Sequence, residues 1–419
     1  MTIGFVHPPD VRFSCTRCGD CCRNAEILLT PEEADRLSTL DWRDRVARLV
    51  GAQVTVPVRT LAGRRRLAHQ DGGACVFLDE QSQCLLHTHF GAEAKPALCR
   101  SYPFAFRALG ERTAVDVSFA CRSVSMGGGK PLAGRTAEWQ ALAPGASAAP
   151  MFLRAGIPIS AETAWALEEH AISLLGDGTL TLPDRLRAVL QLTRLGTSGP
   201  ADAPSLTTLW NALVRGIPAQ VRREPCEATM DPTQASVFWQ WLYLALNPAS
   251  PGLATAPRAL QDRAKKEIER AADRYRARSG QPHVDGSELG KTFEEIAAID
   301  TSALQGAVAE PLAIYLRAKV LGQKLLKAGL DEMPIAEAIP KLLLAAPMTI
   351  WTAKALAAGR GAAAVGEADV RAALRLIDRT LGQIPTSLLP PRQAKAFDWV
   401  MLETDIVEAA TNDMLRRGA

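Results

Sequence analysis

From about Ile157 to the end of the chain, apolar residues recur at spacings of three and four, the period of an amphipathic helix. Ser160 to Leu175, Pro183 to Leu195, Ser205 to Val214, Pro232 to Leu246 and Pro257 to Arg278 each carry such a stripe, separated by glycine or proline. With the later segments, about ten helices are expected here. Val370, Leu374, Ile377 and Leu381 make one stripe, and Phe397, Val400, Val407 and Met414 line one face of the final helix. Stripes of this kind are core faces, and the aromatic run Phe238, Trp239, Trp241 and Tyr243 reads the same way in preference to a substrate clamp. No period of a few tens of residues repeats well enough to make a solenoid.

The first 130 residues have a different texture. Glu26 to Leu29 reads as a short strand. Thr30, Pro31 and Glu33 then supply a cap, a first-turn proline and the partner of a capping box, so a helix is expected from Pro31. Val54 to Arg59 and Arg64 to His69 flank Ala62-Gly63 as a hairpin, and Tyr102 to Arg107 with Thr113 to Phe119 flank Leu109-Gly110-Glu111 as a second. Gly127 to Gly129 opens a stretch rich in Ala, Gly and Pro, with one short helical piece around Trp139. The expected fold is mainly α: a small irregular α+β Cys-rich domain over 1–130, a linker over 131–156, and a large helical bundle-like domain over 157–419.

Composition narrows the function. The 419 residues, 47% hydrophobic, are enough for two cores. Forty-eight basic against 45 acidic side chains leave a net charge of +3, and Arg64-Arg65-Arg66 reads as a solvated face without aromatic interleaving, so no nucleic-acid partner is expected. Met1 to Asp10 lacks a signal-peptide pattern, and the longest apolar stretch, Leu342 to Ala353, is interrupted by Pro347 and ends at Lys354. No membrane insertion and a cytoplasmic location are the expectations, and in a reducing compartment grouped thiols hold metal or do redox chemistry.

Eight of nine cysteines lie between Cys15 and Cys121, and Cys226 stands apart. Cys15, Cys18, Cys21 and Cys22 open the group as C-T-R-C-G-D-C-C, and Cys75, Cys84, Cys99 and Cys121 follow. Two-residue gaps let a tight loop aim successive sulfurs at one centre while backbone N–H groups bond to them, which suits zinc and iron–sulfur ligation alike. The x2, x2 rhythm favours an iron–sulfur cluster, of the 4Fe-4S type, over zinc. Eight thiols suffice for two four-ligand sites or for one cluster with spare thiols. Arg23, Arg100 and Arg122 each follow a cysteine and are expected to offset thiolate charge. His87 and His89 read as neighbours of the centre and not as ligands.

Cys-x2-Cys-x2-Cys-Cys, then Cys75-V-F-L-D, Cys84 and K-P-A-L-Cys99-R-S-Y-P-F, resembles the YkgJ-type CxxCxxCC cysteine-cluster family of zinc- or iron-chelating domains. The fourteen residues between Cys84 and Cys99, the S-F-A-Cys121 element and the long helical remainder are similar to the flagellin lysine N-methylases. That second resemblance implies methyl transfer from S-adenosylmethionine to lysine side chains of a flagellin-like protein substrate. No residue can be assigned to that catalysis: Gly127 to Gly129 lacks the pattern of a dinucleotide-type pocket, and the three-cysteine spacing of radical enzymes is absent. Two function classes follow: a protein-lysine N-methyltransferase related to the flagellin methylases, whose Cys-rich domain holds an iron–sulfur centre and whose helical domain receives the protein substrate, and a non-catalytic protein that stores, senses or delivers zinc or iron.

Overall fold

Where the sequence shows helix-period stripes, the chain forms helices, because each buries its apolar face against the others. The computed structural model describes residues 4–24, 27–58, 63–71, 73–143, 151–154, 156–198, 203–224, 227–247, 258–322, 334–380, 400 and 405–416. The fold is mainly helical. Among the described residues the strands form two three-stranded and three two-stranded sheets. Ser160 caps Ala161–Leu175 by accepting from Thr163 N–H, and Asp231 with Gln234 forms a capping box on Pro232–Leu246. Leu381 and Phe397, expected on two of the stripes, lie outside the described residues.

The aromatic run is core. Phe238, Trp239 and Tyr243 are buried and Trp241 is partly buried. Trp239, Tyr275, Phe293 and Trp351 pack ring against ring with centroids 5.2 to 5.9 Å apart. The apolar stretch around Leu342 belongs to Ile335–Leu343 and Ala345–Gly359. By length and composition 338–359 would pass for a membrane span, yet 89% of that window is buried inside the protein.

Both hairpins form. Thr55–Pro57 pairs with Arg65–Leu67, and Leu28–Leu29 joins as the third strand. Phe104–Leu109 pairs with Arg112–Val117, which also takes Gly4–Val6 in parallel on its other edge. The expected helix at Pro31 spans Pro31–Ser38 with its Thr30–Glu33 capping box complete. Between the two halves, Thr136–Leu142 is the short helix around Trp139, and Trp139 is fully buried against Phe5 and Phe104. Met151–Arg154 pairs with Ile157–Ile159 in a ribbon that the sequence pattern did not announce.

Two apolar clusters result. A small one gathers Leu29, Leu37, Trp42, Leu67, Phe77 and Leu86 with their neighbours. A much larger one joins the 104–117 hairpin to the long helices, with Ala114, Val115 and Val117 completely buried and Glu310–Gly322 packed on their strand.

Candidate metal centre

The opening loop is held in a tight conformation by its own backbone. Arg17 and Gly19 both take positive φ, 55° and 72°, and Gly19 O accepts from Cys22 N at 2.9 Å and Arg23 N at 3.2 Å. A Cβ on Gly19 would sit 3.0 Å or less from Arg23 Nη1 and Ser82 Cβ, so glycine is required there by both conformation and space. Asp20–Asn24 then forms one helical turn that carries Cys21 and Cys22, their sulfurs 3.9 Å apart.

The later cysteines come to this loop. Cys75 N donates to Cys22 O at 2.7 Å, which ties the doublet to the second segment directly. Cys75 and Cys84 flank a small turn in which Leu78 bridges to Cys84 and Gln83 N donates to Asp79 Oδ1 at 2.6 Å. Arg48 braces that turn through the carbonyls of Val76 and Leu78, at 2.7 and 2.9 Å. Cys99 rides on Ala97–Ser101, whose first N–H donates to Glu33 Oε1 at 2.7 Å. Glu33 thus closes its own capping box and anchors the Cys99 helix. Cys22, Cys75, Cys84 and Cys99, from three distant stretches of chain, all pack in or against the small apolar cluster.

Cys121 stands on the other side, against the larger core. It stands at the N-cap of Arg122–Ser125, where the backbone N–H groups of Val124 and Ser123 favour its thiolate. Cys15 is exposed and follows Ser14, whose carbonyl accepts from Ser123 Oγ at 2.7 Å, so the first and last cysteine segments are adjacent.

The thiols feel one another. Cys22 donates toward Cys21 and holds it down at about 7, while the Cys22 thiol is itself pushed up by that bond and by burial. Burial raises Cys75 to about 11, Cys99 to about 12 and Cys121 to about 11, and neighbouring thiolates add to each. Cys21 is common to two sets: it acts on Cys75 and Cys99, and with Cys18 on Cys121. Tyr102 is half-buried, its phenol pushed up first by burial and then by Cys121 and Cys21.

The compensating cations are not the expected arginines. Lys95 lowers Cys21 and Cys99, and Arg48 lowers Cys75. Arg23 instead donates to Cys18 O and Ser82, Arg100 pairs with Glu93, and Arg122 is exposed. Sequence adjacency put charge next to each cysteine in the chain, but side chains of neighbouring residues diverge, and the guanidinium groups are drawn to carbonyls and carboxylates. His87 is exposed, and His89 turns its ring edge to Trp42.

Sequence reasoning missed the residues that hold the thiol loops. Asp20, between Cys18 and Cys21, pairs with Arg375 at 3.1 Å. Asp378 Oδ2 accepts from Ser118 Oγ and from the N–H groups of Phe119 and Ala120, the three residues ahead of Cys121. Its other oxygen lies 3.0 Å from Lys319 Nζ, which is fully buried and also donates to Asp116 Oδ1 and Val117 O. One signal was available: Arg371, Arg375 and Asp378 repeat at four and three, a polar stripe one position along from Val370, Leu374 and Ile377.

Among the described residues no three His, Cys, Asp or Glu side chains are already gathered at the spacing of a coordination sphere. The donor chemistry nonetheless suits a thiophilic metal: soft sulfurs, partly shielded, with backbone N–H groups aimed at them and lysine and arginine charge nearby. Residues 14–122 match the CxxCxxCC family, described as a "Putative zinc- or iron-chelating domain". The match takes in all eight clustered cysteines and about a quarter of the chain, and it supports metal binding by this part. No curated protein and no solved structure matches the chain.

Proposed function

We propose that the chain is a metal-binding protein in which the thiols Cys15, Cys18, Cys21, Cys22, Cys75, Cys84, Cys99 and Cys121 are the pool that supplies the ligands of an iron–sulfur centre. The observation that carries this reading is the convergence of Cys22, Cys75, Cys84 and Cys99 on one small core, with Cys75 N bonded to Cys22 O. Sulfurs brought together as free thiols, several pushed up by burial and by one another, gain from a cation that takes their protons' place. The two-residue spacing of the first three ligands favours iron with sulfide over zinc. Iron, zinc and acid-labile sulfide measured on protein purified without air test the choice. Coloured protein with iron and sulfide is expected, and colourless protein with stoichiometric zinc overturns the cluster while keeping the metal.

Methyl transfer from S-adenosylmethionine to a protein lysine rests on the resemblance to the flagellin lysine methylases alone. Displacement at a lysine amine needs the neutral amine and an aligned sulfonium, and no metal, so a cluster in such an enzyme would have a structural part. Calorimetric titration of the metal-loaded protein with S-adenosylmethionine decides it: absence of binding leaves storage, sensing or delivery of metal as the function.

A further inference from the structure

We propose that the helix Glu367–Thr380 is the brace of the metal centre, with Arg375 and Asp378 as positioning residues that fix the Cys18–Cys21 loop and the Cys121 loop relative to each other. The proposal rests on the metal-centre reading and adds to it the part of the chain on which metal affinity depends.

Three side chains on one stripe of this helix reach the cysteine segments. Arg375 Nη2 lies 3.1 Å from Asp20 Oδ2, inside the opening loop. Arg371 Nη1 donates to Ser125 O at 3.0 Å, four residues beyond Cys121. Asp378 Oδ2 gathers Ser118 Oγ at 3.1 Å, Phe119 N at 2.7 Å and Ala120 N at 3.2 Å. The apolar stripe beside them, Val370, Leu374 and Ile377, is buried to within 1% in the larger core, so the helix cannot shift without cost. Asp378 is held from behind by Lys319, whose three donors are used by Asp116 Oδ1, Asp378 Oδ1 and Val117 O. The two loops so gripped carry Cys18, Cys21 and Cys121, and Ser123 Oγ, two residues past Cys121, donates to Ser14 O at 2.7 Å, so the two segments are already adjacent. A metal held by thiols of both loops would need those loops at one separation, and Arg371, Arg375 and Asp378, which together reach both, stand on this helix. Partners that orient ligands in this way are worth about 10- to 100-fold in metal affinity.

The test is a cobalt(II) titration of the full-length, reduced protein without air, read by thiolate-to-cobalt charge-transfer absorption and by competition with a chelator. Arg375→Ala and Asp378→Asn are each expected to weaken cobalt binding about tenfold or more. Arg379→Ala, which removes the ion pair to Asp285 from the same helix, serves as the control and should stay within about twofold of wild type, since among the described residues Arg379 pairs with Asp285 and not with a cysteine segment. Cobalt loading should slow hydrogen exchange at Phe119 and Ala120 in the wild type and not in Asp378→Asn. Variants that lose stability while binding cobalt as the wild type does would overturn the brace and leave the metal centre standing. Wild-type protein that shows no charge-transfer bands with cobalt and takes up no iron with sulfide would overturn both. Should Asp378→Asn fail to fold, Arg375→Ala decides alone, because its side chain is 35% exposed and its loss opens no cavity in the core.

Discussion

Replacing Lys319 by methionine should cost the protein a large part of its stability, in a way that acid partly restores. The ammonium is completely buried and sits 3.0 Å from both Asp116 and Asp378, with Val117 O as its third acceptor. Burial alone would pull its pKa down, but the two carboxylates outweigh burial and the net is a raised pKa. Methionine matches the volume and removes the charge, leaving a fully buried Asp378 carboxylate without its cation. Breaking a buried ion pair from one side costs about 3–5 kcal/mol, against about 5–15 kcal/mol of total stability for a typical folded protein. A carboxylate stranded in this way takes up a proton in the folded state, so its folded pKa rises above the unfolded one. The variant is then least disadvantaged at low pH and loses ground as pH rises. Urea unfolding followed by tryptophan fluorescence, at pH 5.5 and 7.5, measures both effects. A loss under about 1 kcal/mol, or a deficit independent of pH, would refute the account of the network. Adding Asp378→Asn to Lys319→Met should recover part of the loss, since the second change removes the stranded charge.

Glu408 gives a second pH dependence: burial, opposed by Arg194, raises its carboxyl to about 7. A raised carboxyl stabilises the fold below its unfolded value near 4.5, and this is lost as pH climbs through about 7, roughly 3 kcal/mol in all. Glu408→Gln should flatten that part of the urea-midpoint profile, and an unchanged slope would rule the assignment out. Gly129→Ala should loosen the cysteine segment around Cys15, because φ is +99° and the added Cβ would lie 2.2 Å from Ser14 N. Faster proteolysis near residue 14 and a lower melting temperature are expected, and wild-type values for both would contradict the close approach. Cys18→Ala and Cys99→Ala should each lower bound metal. Cys226→Ala, at a position outside the described residues, should not, and equal loss from all three would show that the cysteines have been divided wrongly.

Much of the local structure was legible because it is written locally. Thr30, Pro31 and Glu33 specify a helix start within four residues, and Pro232–Leu246 begins and ends where its stripe does. The cysteines announced a centre by type and spacing. What the chain does not write locally is which distant groups meet. Lys319 lies among apolar residues in a helix buried on nearly all sides, so periodicity marks it as one polar position among many. In the sequence Asp378 is one acid among several in its helix, and only the tertiary fold puts three donors of the Cys121 loop in front of it. The charge beside the thiols failed for the same reason: adjacency in sequence predicted Arg23, Arg100 and Arg122, whereas space supplied Lys95 and Arg48.

The small cluster around Trp42 and Phe77 holds about a dozen buried residues, too few for a core of this kind to stand on apolar burial alone. It needs a staple or a support, and the chain offers both: thiols that a metal would cross-link, and a hairpin that leaves the cysteine segment to enter the larger core. Val115 and Val117 are completely buried on that hairpin, and Asp116 between them is the residue that Lys319 grips. Gly322, on the same helix as Lys319, faces Asp116 so closely that a Cβ would lie 2.6 Å from it. The residues matched by the chelating family are therefore not a module resting on the helices. Their last strand is built into the helical core, and the loop that bears Cys121 leaves that strand directly under Asp378. Stability of the helical part and geometry of the thiols are consequently set by the same few contacts, and a change at either is felt at the other.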